Sequence, residues 1–300
     1  MPDRPRQTGS EGAAAPAVDP GATDEFQAVG RGLPALSVDL RDHLPGYEPD
    51  RQVTDWGRSE RVEGVVDRVL LDFLYRYWFR VEVEGIDNLP EQGGALLVGN
   101  HAGGVPCDAA MIAKALREEL PRSRRIHVST DGSFSSVPGV GMVLAKLGAV
   151  ADHPANLHRL LFDEQELVLA FPEGREAVHK SFGRRYMLRQ FSSDFVQAAA
   201  RAQVPIVPVA LVGSEEAAPV VARLPVRPLL RTLMRRSPRL PLSAPLPLPA
   251  KFRLRFLEPV EPEPAELDPG ALATLADEVR ALIQENLLEM IGQRRSVWLG

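Results

Sequence analysis
In the stretch NHAGGVPCDA, Asn100 to Ala109, a histidine and an aspartate stand seven positions apart behind an apolar run. A carboxylate bound to one imidazole nitrogen fixes the ring's tautomer and supports positive charge on it. The other nitrogen is then free to take a proton from a hydroxyl. An imidazole with an ordinary pKa of about 6.5 suits that work near neutral pH. Were the stretch one helix, His101 and Asp108 would lie about 10 Å apart along its axis. Gly103, Gly104 and Pro106 argue instead for a tight loop, with Pro106 at the first helical position and Asp108 in the first turn. No GxSxG elbow occurs in the chain, so the hydroxyl to be activated comes from a substrate. The competing reading is a helix-entry loop with a structural histidine. Cys107, beside Asp108, is a thiol nucleophile or, more commonly for such a residue, a small packing residue.

A second polar cluster follows a second apolar run. ELVLAFPEGREA sets Phe171, Pro172, Glu173, Gly174 and Arg175 behind a strand-like segment. An arginine there can grip a phosphate by paired hydrogen bonds. Glu173 can anchor that arginine or a backbone turn, and Gly174 allows close approach. Downstream, VPIVPVALVG carries Pro205 and Pro208 in an apolar strand, which suits an edge strand or a strand start.

These clusters need a frame. ALLVGN, RIHVST, ELVLAF and VPIVPVALVG read as strands. CDAAMIAKALREEL, VPGVGMVLAKLG, NLHRLLFDEQ and a serine-capped SSDFVQAAARAQ read as helices between them. The alternation predicts an α/β fold, a mostly parallel central sheet flanked by helices. Both polar clusters then fall at the C-terminal edge of the sheet, where such sheets hold ligands. KFRLRFLEPV is a late strand with period-two alternation. Asp268 and Pro269 open a long last helix.

The chain has 300 residues, 44% hydrophobic, with a formal net charge of −5. That suits one α/β domain over 58–300 behind a mostly disordered tail over 1–57, and argues against a nucleic-acid partner. A single cysteine excludes an internal disulfide framework and favours a reducing compartment. No signal peptide or spanning helix is legible. From Ser59 to Arg80 apolar residues recur at helical spacing and end in FLYRYWFR, a mixture suited to a membrane interface or to packing on the domain itself. Residues 222–250 form a basic Pro/Leu-rich loop, with Arg223, Arg227, Arg231, Arg235, Arg236 and Arg239 and no acid. It reads as a contact for anionic lipid or as a solvated cover on the sheet. His127, His153, His158 and His179 lack zinc spacing, and His43 lies in the tail, so no metal site is expected.

The ordered series of an asparagine–histidine pair with a downstream aspartate, FPEG with an arginine, and VPIVPV resembles the glycerolipid acyltransferases. These include the glycerol-3-phosphate and lysophosphatidate acyltransferases. The likeness runs from about residue 60 to 300. It extends to YRYWFRVEVEGIDNLP, GRRYMLRQF, PLPAKFRLRFLEPV and QRRSVWLG, and looks most like a bacterial, lysophospholipid acyltransferase-like branch. The resemblance implies a fatty acyl group moved from acyl-CoA or acyl-ACP (acyl carrier protein) to a lipid hydroxyl, with no further cofactor, in phospholipid biosynthesis. The work would be done peripherally on the inner face of the cell membrane. It implies His101 as general base with Asp108 its partner. Phe171, Pro172, Glu173 and Gly174 match the acceptor-binding motif, Arg175 stands by for phosphate, and Pro205 shapes the pocket. Backbone N–H groups near Gly103, Gly104 or the helix start would meet the oxyanion. Three positions depart from the pattern. Six residues separate His101 from Asp108 where four are usual. Arg175 follows the glycine directly and Glu176 takes the usual arginine position. His153 stands where an arginine is common. They motivate a second reading, a catalytically degenerate lipid-binding protein of the same fold. A third, hydrolysis of the acyl group by water, lacks its serine elbow.

Overall fold
The computed structural model describes residues 53–102, 107–122, 124–130, 139–174, 183, 185–217, 247–262 and 268–298, with the backbone of 220–225 and 239–243. Gly103, Gly104, Pro106, Arg175, Lys180, Arg184 and the tail up to Gln52 lie outside these. The described chain begins at Val53, which bridges to Ser59.

Seven strands form one sheet: β1 Glu82–Glu84, β2 Ala95–Gly99, β3 Ile126–Thr130, β4 Ala149–Ala151, β5 Leu167–Ala170, β6 Ile206–Val212 and β9 Arg253–Phe256, in the order β1-β9-β6-β2-β5-β3-β4. The run from β6 to β4 is parallel. β9 lies antiparallel to β6, and β1 parallel to β9. β2, β5 and β6 are buried at every position. That is why they read as unbroken apolar runs: helices cover both faces. Leu96, Val98, Val168, Ala170, Ile206, Ala210 and Val212 face one core; Leu97, Leu167, Leu169, Val207, Val209 and Leu211 face the other.

The helices are α1 Glu60–Val66, α2 Cys107–Glu119, α3 Val140–Lys146, α4 Pro154–His158, α5 Asp194–Ala202, α6 Ser214–Ala217 and α7 Pro269–Gly292. Asp268 caps α7, its carboxylate accepting from the Gly270 and Ala271 N–H groups. Ser193 stands at the start of α5, but its side chain makes no capping bond. α1 continues through two π-helical turns, Asp67–Leu71 and Leu74–Trp78. The wider turns bring Asp67 and Asp72 to one cation, Lys114 of α2, at 2.7 and 2.5 Å, with Glu118 at 2.7 Å. Among the described residues no helix is long and apolar enough to cross a membrane.

Two sequence expectations change. Part of the 222–250 loop is ordered as strands: β7 Val220–Pro225 pairs antiparallel with β8 Arg239–Ser243, with a register shift at Val220/Ala222. In a two-stranded ribbon each strand is an edge, so Pro225 and Pro241 are tolerated. Pro208 lies not at an edge but inside the sheet, paired with Val98. On its other side Pro208 keeps half of a pair: its carbonyl accepts from the Leu257 N–H at 2.9 Å. Ile206 exchanges both peptide hydrogen bonds with Val260, and the regular β6–β9 register starts only at Val209–Phe256. The proline lacks only the N–H that would return the bond to Leu257.

Candidate active site
β2 and β5 are adjacent and parallel, so their C-terminal ends deliver the two polar clusters to one place. His101 follows β2 by two residues. Its Nδ1 lies 2.6 Å from Asp108 Oδ2. The six-residue separation does not keep the pair apart. Asp108 is almost fully buried. Its Oδ2 also accepts from the Ala102 N–H at 3.1 Å, and its Oδ1 from its neighbour Ala109 at 2.8 Å. Burial alone would raise its pKa. The charge and hydrogen bond of the His101 ring, with the two backbone N–H groups, outweigh burial and hold it below the ordinary carboxylate value. An ionised carboxylate only accepts, so His101 Nδ1 is the donor, and in the neutral ring Nε2 carries the lone pair. The ring keeps some exposure, 18% of its side chain.

Phe171 stacks its ring 4.9 Å from the imidazole, centroid to centroid. It closes over the end of β2, where a Cβ on Gly99 would come within 3.3 Å of the phenyl ring. Glu173 is buried, and its carboxylate serves backbone. Oε1 accepts from the His101 N–H at 3.4 Å and Oε2 from the Arg189 N–H at 3.0 Å. These bonds give it the backbone-anchoring role; Arg175, the other candidate partner, lies outside the described residues. The Pro172 carbonyl accepts from Ser192. Gly174 has φ +56°, with nothing within 4 Å of a built Cβ. Backbone conformation, rather than close approach, calls for glycine there.

The acyltransferase family model matches residues 80–212, which contain both clusters. Over 276 residues, 89% of this chain, the sequence is 35% identical to an uncharacterized protein of Mycobacterium tuberculosis, covering 76% of it. It is 36% identical to an uncharacterized protein of Mycobacterium leprae, covering 74% of it. The chain belongs to the acyltransferase family. Its fold is similar to that of the 1-acyl-sn-glycerophosphate acyltransferase PlsC from Thermotoga maritima, with a TM-score of 0.50 and 19% identity over 79% of this chain and 80% of that one. At that identity the likeness carries the fold alone.

Other residues of this acyltransferase fall where the motifs alone do not put them. Pro205 is at the opposite end of β6 from His101, its carbonyl accepting from the Leu96 N–H; a proline at a strand's entrance cannot line a site at its exit. His153 caps α4, its Nδ1 accepting from the Ala155 N–H at 3.2 Å. Arg185 pairs with buried Glu216 at 3.6 Å, and Glu216 also takes Arg294 at 3.0 Å and the Tyr186 hydroxyl. Cys107 is buried, and burial, helped by the Asp108 charge, pushes its thiol up to about 12, which leaves it no nucleophilic thiolate near neutral pH. Sequence reasoning counted Asn100 in the motif and gave it no role. Its amide, fully buried, both donates to and accepts from Leu211. A polar residue at the last step of an apolar run was the available signal.

Proposed function
We propose that this acyltransferase moves a fatty acyl group from a thioester, of coenzyme A or acyl carrier protein, to the hydroxyl of a glycerolipid or lysophospholipid at a membrane surface. The observation that carries the reading is the 2.6 Å contact between His101 and a buried, ionised Asp108 at the exit edge of the sheet. Nε2 takes the acceptor's hydroxyl proton. The alkoxide oxygen bonds to the thioester carbonyl carbon, and backbone N–H groups at the start of α2 meet the oxyanion. The C–S bond then breaks, and the thiolate recovers the proton from the imidazolium that Asp108 stabilises. Closure of the pair despite its wide spacing favours catalysis over a binding protein of the same fold.

Two apolar features suit a lipid. A cavity of about 150 Å³ lies between the α1 segment, α2 and α3, lined by Val66, Leu71, Ala109, Ala113, Leu144 and Leu147. It begins one residue from Asp108. The outer side of the same segment exposes Val65, Val69, Phe73 and Tyr77, with Val69 at 76% and Tyr77 at 70%. Such a stripe binds a bilayer interface by burying apolar area. The Thermotoga protein is named for a 1-acyl-sn-glycerophosphate acceptor, which makes lysophosphatidate the first acceptor to try.

The test supplies labelled acyl-CoA or acyl-ACP with a lysophospholipid panel and liposomes to wild type, His101→Ala and Asp108→Ala. Transfer that collapses in both folded variants is expected; survival in both overturns the mechanism, and free fatty acid without acceptor would mark a hydrolase. Replacing Val69, Phe73 and Tyr77 together by serine should weaken liposome co-sedimentation by at least about tenfold, given three apolar side chains withdrawn. Unchanged binding would remove this stripe from the membrane contact.

A further inference from the structure
β2 pairs with β6 up to Gly99–Val209, and the next β6 residue to turn its peptide groups toward β2 is Leu211. Were the β2 backbone to continue, the carbonyl of residue 100 and the N–H of residue 102 would meet them. It does not continue, because the chain leaves the sheet to project His101. The Asn100 side chain takes over instead. Its Nδ2 donates to the Leu211 carbonyl at 3.0 Å and its Oδ1 accepts from the Leu211 N–H at 2.8 Å. One planar amide thus stands in for a carbonyl and an N–H of two successive peptides. Both Leu211 groups are buried, and buried peptide groups left unmatched are costly. Few side chains offer one donor and one acceptor in that fork. The next residue is His101, whose own N–H is held from the other side by Glu173.

We propose that Asn100 is a positioning residue for His101: its amide closes the β2–β6 ladder in place of the main chain, and so fixes where the backbone departs and where the imidazole meets Asp108. The proposal rests on the reading of His101 as general base. It concerns geometry rather than contact with substrate, so the rate at saturation should suffer more than substrate binding. Asp108 fixes the ring and Asn100 fixes the main chain behind it.

The variants are Asn100→Ala and Asn100→Asp. A misplaced catalytic group loses about 10²-fold in rate, so Asn100→Ala should lower kcat by about that much with KM nearly unchanged. Asn100→Asp adds a readout that a general packing role would not move. Protonated, its carboxyl again presents one donor and one acceptor; ionised, it presents acceptors only. The ratio of its kcat to wild type should therefore climb as the pH falls, while the Asn100→Ala ratio stays flat. In parallel, the His101 Nδ1–H proton resonance should move in both variants at neutral pH. In the wild type the Leu211 amide should exchange with solvent as slowly as the central β6 amides, a measurement that requires no variant to fold. Wild-type kcat in both variants, a flat ratio for Asn100→Asp, an unmoved His101 resonance or a fast-exchanging Leu211 amide would each overturn the proposal. If His101→Ala retains transfer, the general-base reading fails instead, and the resonance and exchange data still decide whether Asn100 holds the loop.

Discussion
His101 and His127 belong to the same sheet, and their surroundings are opposites. His127 is the second residue of β3 and lies level with Leu96 of β2, since both register with Val168. His101 is five residues further on, about 16 Å along the strand direction. His101 has a carboxylate at 2.6 Å and a partly open ring. His127 is buried, with Arg58 and Arg125 beside it and its Nδ1 without a hydrogen-bond partner. Burial, then the two arginines, hold its pKa down at about 4. It lines a polar cleft of about 220 Å³ at the entrance edge of the sheet with Trp56, Arg159, Glu164 and Glu166. One imidazole is placed to carry a proton and the other to stay neutral. Residue type says little about a histidine; the charge across from its nitrogen says most.

The contrast can be broken at several points. His101→Ala should lower kcat by about 10² to 10⁴, the range for a lost general base. Asp108→Asn should fall in the same range, since the ring then loses its tautomer and its counter-charge. His127→Asn should leave kcat within about twofold; a large loss in a folded His127 variant would mean that the entrance edge takes part in the reaction. The second largest effect is on stability. The unfolded chain protonates His127 near 6.5, whereas the folded protein resists protonation down to about 4. Through that window the unfolded state binds more protons, so stability falls as the pH falls, by about 3 kcal/mol in all. Urea unfolding at pH 7 and pH 4 should show this loss in the wild type and a loss smaller by that amount in His127→Asn. Equal losses would mean that the ring is already solvated. The smallest effect concerns Cys107. With its thiol pushed up to about 12, it should resist alkylation at pH 8 in the folded protein, and Cys107→Ala should transfer acyl groups within about twofold of the wild type. Inactivation by iodoacetamide that Cys107→Ala abolishes would restore a nucleophilic role.

Much of the frame was legible because burial on both faces writes strands as plain apolar runs. β2, β3, β5 and β6 fall where those runs fall, and Asp268 with Pro269 marks the start of α7. Less local features were not legible. The π-helical turns of 67–78 answer to Lys114, more than thirty residues downstream. Pro208 keeps its carbonyl bond to Leu257 and forgoes only the return N–H bond, just where the regular β9 register begins, which is a property of two strands together. The motif residues come together through one topological fact, the adjacency of β2 and β5; Pro205 shares a motif block with β6 but sits at the wrong end of it. Asn100 was hidden because its partner is a peptide group, which has no sequence signature.

Lys114 also bears on how this chain can vary. The ammonium is buried between two helices and shared by Asp67, Asp72 and Glu118. Removing any one acid leaves the cation two partners. Removing the lysine takes the shared cation from all three; Asp67 keeps Arg117 at 3.2 Å and Glu118 keeps Arg76 at 2.5 Å, so the loss falls hardest on Asp72. The tolerance is therefore lopsided: loss of one acid removes one of three partners from the cation, whereas loss of the lysine removes a partner from all three acids at once. The segment that bears the outward apolar stripe is thus fastened to the helix that bears Asp108 by a joint whose single cation matters more than any one of its acids.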